Sequence, residues 1–266
     1  RGAAHKQQGG YAVDCMTVRQ IFDWLNGVAP FETAEDFDNV GLLMGDMNAA
    51  VKTVLFGMDL TEDMAQEALR LGAGLIVTHH PFIFSPIKRI DYTMPQGRAL
   101  LTLLGGGVSV LAAHTNWDKA PGGVSDSLAN TLSLTDVTAA DDFLRVGSLR
   151  SPSTPEALDN LIQGSLHAVS RRYGSAQGPI SRVAVAGGAY GEGYSLAIEA
   201  GAQAFVVGEI KHHELVDACA RGLTVYDAGH FATELPGMAA LYERFLADAV
   251  RAKWPVKAHL YFKAPY

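Results

Sequence analysis

Cysteine is almost missing from this sequence: Cys15 and Cys219 are the only two among 266 residues. Two thiols build neither a disulfide framework nor a thiolate zinc site, and such sparse usage suits a reducing cytoplasm. No run of Lys and Arg occurs, and the formal net charge is −7. That balance argues against a surface made for non-specific nucleic-acid binding. No apolar stretch approaches the length of a membrane span. There is no Lys-Ser/Thr phosphate loop, clean dinucleotide fingerprint, serine elbow or catalytic-cysteine signature. Residues 1–15 lack the apolar block of a secretory leader and read as a flexible extension, with Met16 a candidate natural start.

What remains is a globular composition, 48% hydrophobic and 18% charged, long enough for one large domain or two moderate ones. The segment TVRQIFDWLNGVAP reads as a helix capped by Thr17, with Val18, Ile21, Phe22 and Leu25 as its apolar stripe. From VLFGMD (54–59) onward the first half alternates strand and helix: a helix from Thr61 to Gly72, the strand GLIVTHH, a helix over 95–107 and the strand VSVLAAH (108–114). The strands are nearly all apolar, as in parallel sheets covered on both faces. The second half repeats the plan with RVAVAGGA (182–189), AFVVGEIKHHE and LTVYDAGHFATE. ALRLGAGLIVTHH at 68–80 echoes AIEAGAQAFVVGEIKHH at 197–213, so a duplicated β-α-β module is expected. The predicted fold class is α/β: two similar three-layer modules, residues 16–140 and 141–266, after the extension 1–15. WPVKAHLYF near the end reads as a strand of unassigned sheet.

Metal-compatible side chains fall just past the carboxyl ends of these strands, the edge where open α/β sheets bind ligands. They are His79 and His80, His114 and Asp118, Glu209 with His212 and His213, and His230 with Glu234. Histidine and carboxylate without cysteine is a donor set for Zn, Fe or Mn in a reactive site. Neighbouring side chains on a strand diverge, so His79 and His80 suit one ion each rather than one shared ion. His230 and Glu234, four residues apart, share a helix face and can approach the same ions. Asp118, in a Gly/Pro-bounded loop, can bridge two cations, and two ions about 3.5–4 Å apart require such bridging carboxylates. Taken singly, each residue has a plainer explanation: a hydrogen-bonded core histidine, a surface ion pair, a turn aspartate. Their convergence on one edge favours a metal centre. His114, His212 and His213 are candidates for orienting ligands or moving protons. His5, His167 and His259 have no such placement. DFDNVG (36–41) reads as a turn or a loop at the rim of the site, and GGAYGEG (187–193) as a tight turn.

DNVGLLMGD, LIVTHHPFIFSPIKRI, AAHTNWDKAPGGVSDSLA and GEIKHHELVDA followed by DAGHFATE together resemble the Nif-three-like, YbgI-type dinuclear metal-centre family. Members often carry the label GTP cyclohydrolase I type 2. The resemblance spans about Met16 to the C-terminus and implies His79, His80, Asp118, His230 and Glu234 as ligands of two divalent ions. It also implies two related α/β domains with the metals in the cleft between them, and a ring-like homohexamer. Ser125 and the GGAYGEG turn depart from the usual pattern without touching a ligand position.

The activity implied is hydrolysis of GTP at its guanine ring, with His114 or His213 moving protons and Lys88, Arg89 or Lys211 answering the triphosphate. Two alternatives stand beside it: a general two-metal phosphoesterase or nucleotide hydrolase, and a non-catalytic metal-binding or adaptor protein. A small-molecule substrate and a homo-oligomer are the expected partners, with no membrane.

Overall fold

The computed structural model describes residues 15–174 and 178–266. The expected N-terminal extension, apart from Cys15, lies outside the described residues, as does His5. The chain runs β1 (Met16–Thr17), α1 (Val18–Val28), β2 (Gly41–Met44), β3 (Ala50–Val51), β4 (Thr53–Gly57), α2 (Glu62–Leu71), β5 (Leu75–Thr78), α3 (Pro95–Gly106), β6 (Ser109–Ala112), α4 (Thr115–Lys119) and α5 (Val124–Thr131). The second half follows. It comprises β7 (Thr135–Ala139), β8 (Arg145–Ser153), α6 (Pro155–Leu166), β9 (Arg171–Tyr173), β10 (Ile180–Ala186), α7 (Tyr194–Glu199), β11 (Ala204–Val207), α8 (His212–Ala220), β12 (Thr224–Asp227), α9 (His230–Ala252) and β13 (Lys257–Tyr261).

Local chemistry marks the helix ends. Thr17 caps α1 in a reciprocal capping box with Gln20, satisfying two backbone donors at once. Thr61 caps α2, whose first turn carries Glu62 and Asp63, and Gly72 ends it in the left-handed region.

Two sheets result. The first has the order β13-β4-β5-β6-β2, with β13, β4, β5 and β6 parallel and β2 antiparallel at the edge. The second has the order β7-β8-β10-β11-β12-β9, with β10, β11 and β12 parallel and β8 and β9 antiparallel beside them. Strands β4, β5, β6 and β11 are buried at every position, which is why they read as unbroken apolar runs.

Each sheet is covered on both faces. Val54, Phe56, Leu75, Val77 and Leu111 pack with α1 and α9, while Leu55, Ile76 and Val110 face α2 and α3. In the second sheet Val183, Val185, Val206 and Tyr226 face α5 and α6, and Phe205, Val207 and Val225 face α7 and α8. Helices α5 and α9 meet between the sheets. Gly237 permits this approach, since a Cβ there would lie 2.7 Å from Val124 Cα. Phe205 is fully buried at the centre of the second sheet. Phe205→Ala should destabilise the protein by about 3–5 kcal/mol in denaturant unfolding, by lost transfer energy and the cavity left behind.

Sheet membership departs from a division at residue 140 in two places. Strand β7, N-terminal to that boundary, pairs with β8 in the second sheet. At the other end α9 crosses back from β12 and delivers β13 to the first sheet, parallel to β4. The apolar face of α9, with Met238, Leu241 and Phe245, belongs to the first sheet's core. No helix among the described residues is long and apolar enough to cross a membrane.

Candidate metal centre

The carboxyl ends of the parallel strands of both sheets meet in one cleft. Past β5 the ladder continues for two residues, as His79 N–H donates to Gly57 O and His80 N–H to Met58 O. Thr78 Oγ1 then donates to His80 O at 2.8 Å and turns the chain out of the strand. The adjacent imidazoles therefore neither lie parallel nor point apart: their ring centroids are 5.0 Å apart with planes at 48°. They approach different oxygens of one carboxylate. His79 Nε2 lies 3.6 Å from Glu234 Oε1, and His80 Nε2 lies 3.0 Å from Glu234 Oε2.

Glu234 comes from the other sheet's side, on the first turns of α9. His230 Nε2 is 3.2 Å from its Oε2, the shared helix face that the four-residue spacing predicts. Three glycines allow α9 to start here. Gly229 (φ +86) leads in, and Gly188 (φ +63) passes so close that a Cβ would lie 2.1 Å from Glu234 Oε1. Gly208 is equally confined, and Gly188 N–H donates to Thr233 Oγ1 in the same turn. Asp118 arrives on α4, where buried Trp117 donates to Gly237 O and buried Asn116 donates to Ala29 O. Its Oδ1 lies 3.5 Å from His79 Nε2. His114, at the end of β6, packs edge-on to both His79 and His80 at centroid separations of 5.2 and 5.5 Å.

The backs of these rings settle which nitrogen faces the cleft. His79 Nδ1 meets the Ala113 carbonyl, His80 Nδ1 meets Asp59, His114 Nδ1 meets Asp38 and His230 Nδ1 meets Glu209, all at 2.8–2.9 Å. A carbonyl or carboxylate oxygen only accepts, so every Nδ1 is the donor. In the neutral ring every Nε2 then presents a lone pair inward, the form that metal-bound histidines take.

Those inward atoms oppose one another electrostatically. His80 Nε2 and His230 Nε2 face each other at 3.2 Å, and His79 Nε2, Asp118 Oδ1 and Glu234 Oε2 are buried without a hydrogen bond. Without a cation, protons take up the strain. Burial opposes a charge on His80, yet Asp59 and Glu234 outweigh it and push its pKa up to about 10. Burial pushes Asp118 up to about 7. Glu234 is held well below the usual carboxylate range, because the surrounding imidazoles outweigh its burial. Asp38 is also depressed: its burial is overcome by hydrogen bonds from His114 and Thr115. The residues present fit a metal, since imidazole nitrogens and buried carboxylate oxygens converge with no Lys or Arg paired to them among the described residues. Two donor groups stand out, each with its ligand atoms within 4.8 Å of one another: His79 with His80 and His114, and His80 with His230 and Glu234.

The structure thus brings His79, His80, Asp118, His230, Glu234 and His114 together. It does not bring in His213, which is exposed on α8 and makes no hydrogen bond or ion pair with the cluster among the described residues; His212 is likewise exposed. His167 ends α6 in the left-handed region, and His259 lies on β13. The DFDNVG loop supplies Asp38, whose carboxylate also accepts from Thr115 N and Oγ1. Sequence reasoning passed over Asp59, although an acidic residue closing an all-apolar strand was the available signal.

Fold and side chains define a two-module α/β protein with a cluster of histidine and carboxylate groups between the modules that could hold a metal ion. The chain belongs to the Duf34/NIF3 (NGG1p interacting factor 3) family, whose model matches residues 16–263. A Clostridium perfringens protein named GTP cyclohydrolase 1 type 2 homolog is 31% identical over 86% of this chain and 91% of its own length. A Streptomyces coelicolor protein of the same name is 32% identical over 91% of this chain and 90% of its own. The crystal structure of a Bacillus cereus protein related to NIF3 superposes with a TM-score of 0.91, covering 95% of this chain and 99% of that one at 20% identity.

Proposed function

We propose that this protein is a hydrolase that works with two divalent ions, held by His79, His80, Asp118, His230 and Glu234. The observation that carries this reading is the division of Glu234, with His79 at one oxygen and His80 and His230 at the other. A pair of divalent ions there would supply Lewis acidity and make a water acidic enough to serve as nucleophile near neutral pH. The protein's own contribution is orientation and proton handling. Buried Asp38 holds the His114 ring from behind and leaves its Nε2 at the edge of the cluster, free to take a proton and return it. His213 has no such position, so the proton-handling role rests on His114 alone.

The substrate reading follows the relatives' printed name: hydrolytic opening of the guanine ring of GTP. Phe84 borders His114 at a centroid distance of 6.4 Å, and its loop carries exposed Lys88 and Arg89, the positive charge a triphosphate would need. The test is formate release from GTP by protein loaded with Zn, Fe(II) or Mn, beside a panel of nucleotides and phosphate monoesters. Metal-dependent formate release, lost in His114→Ala at undiminished metal content, is the expected result. Turnover of phosphate esters but not GTP would move the reading to a phosphoesterase, and no turnover of any of them would leave a metal-binding protein.

We also infer a homo-oligomer, supported by exposed Ile90, Tyr92, Met94, Leu101 and Leu104 on and before α3. Sedimentation equilibrium should return a whole-number multiple of the chain mass, six for the hexamer, and a monomer would refute it.

A further inference from the structure

Behind the centre, carboxylates recur in a pattern that crosses both modules. Asp59 follows β4 and meets His80, which follows the neighbouring parallel strand β5. Glu209 follows β11 and meets His230, which follows the neighbouring parallel strand β12. In each case a carboxylate from one strand end reaches the imidazole of the next. Among the described residues the imidazole is the only side-chain hydrogen-bond partner of either carboxylate.

We propose that Asp59 and Glu209 are positioning residues that fix the ring orientation and tautomer of His80 and His230, and thereby set metal affinity. The proposal rests on the metal-centre reading above. His80 and His230 are the pair whose Nε2 atoms face each other at 3.2 Å across the cleft. Rotation or tautomer exchange of either ring would aim an N–H at the other ring and at Glu234 Oε2. Asp59 and Glu209 oppose that, because a carboxylate accepts and never donates. His79 gets the same service from a backbone carbonyl, which no side-chain substitution removes. A carboxylate behind the ring also makes the imidazole a stronger donor.

Exposure separates this role from a structural one. The side chains of Glu209 and Asp59 are 61% and 32% exposed, and ion pairs so open to water contribute little to folding. Removing either should weaken metal capture, and removing Glu209, the more exposed of the two, should leave the fold alone.

The experiment is a zinc titration in competition with a chromogenic chelator, on wild-type protein and on Asp59→Ala, Glu209→Ala, Asp59→Asn and Glu209→Gln. Glu67→Ala, which removes a surface pair with Arg70, is the control. Each alanine variant should bind zinc about 10–100-fold more weakly. The amide variants should recover part of this, since an amide oxygen still accepts from Nδ1–H, and the control should match wild type. In zinc-loaded protein the downfield ring N–H proton resonance of His80 should vanish in Asp59→Ala alone, and that of His230 in Glu209→Ala alone. The melting temperature of zinc-free Glu209→Ala should stay with the zinc-free wild type. Alanine variants that bind zinc as tightly as wild type with both ring resonances intact would overturn the proposal. So would a zinc loss matched by a fall in zinc-free melting temperature, which would make the carboxylates structural. A wild-type protein that takes up no zinc, iron or manganese would instead bring down the metal-centre reading itself.

Discussion

Glu234→Gln should empty the metal centre while leaving the protein folded. Glutamine keeps the size of the side chain but replaces the two carboxylate oxygens, which on the proposed reading would be shared between two ions, by one oxygen and one N–H₂ group. Whichever way the amide turns, its donors face either His79 Nε2 or the His80–His230 pair, all of which present lone pairs. The variant therefore loses a shared ligand and gains a group that competes with cations. Zinc affinity should fall by more than the roughly 100-fold upper range for outer-sphere partners. Elemental analysis should show the metal content dropping from about two equivalents per chain towards zero. The fold should survive, because glutamine matches glutamate in size and α9 stays anchored in the first sheet's core through Met238, Leu241 and Phe245. Retention of two equivalents in the variant would refute the bridging role.

Gly208→Ala should damage the fold and the centre together. A Cβ at Gly208 would lie 2.6 Å from Gly188 O, 2.6 Å from Thr233 Oγ1 and 2.9 Å from His230 Cα. Two of those three atoms are backbone, so no rotamer change relieves the clash, and α9 must move away from the β10–α7 turn. Overpacking of this kind costs about 1–3 kcal/mol, and the backbone contacts put this site at the upper end. His230 and Glu234 ride on the displaced turn, so metal content should fall with the melting temperature. Gly164 in α6 is the contrasting position: its Cβ would meet nothing within 4 Å. Gly164→Ala should be neutral or stabilising, by up to about 1 kcal/mol from helix propensity. Equal behaviour of the two variants would show that the close approach at Gly208 is not what holds the site.

Much of this architecture was legible because burial on both faces leaves a plain mark. Strands β4, β5, β6 and β11 are unbroken apolar runs, and the candidate ligands stand beyond the ends of β5, β6 and β12. The i, i+4 spacing of His230 and Glu234 survives translation into three dimensions because a helix face is a local property. Other features were not local. The echo between the two histidine pairs pointed to a duplicated module, yet His79 follows β5 directly, whereas Gly208–Lys211 intervenes between β11 and His212. Those four residues carry His212 and His213 into the first turn of α8 and away from the cleft, leaving Glu209 as the group that reaches the centre. The sheet of β13 was equally hidden, because an edge strand's partner depends on where the preceding long helix ends. Asp38 and Asp59 act on rings 76 and 21 residues away in sequence, a relation no motif spacing encodes.

The return of β13 to β4 also has a consequence for how the chain is made. Lys257 pairs with Thr53, so the β4 edge of the first sheet stays open until β13 has left the ribosome. Contacts of such long range are slow to form, and an uncovered strand edge invites pairing with other chains meanwhile. The first module is begun before the second and closed after it.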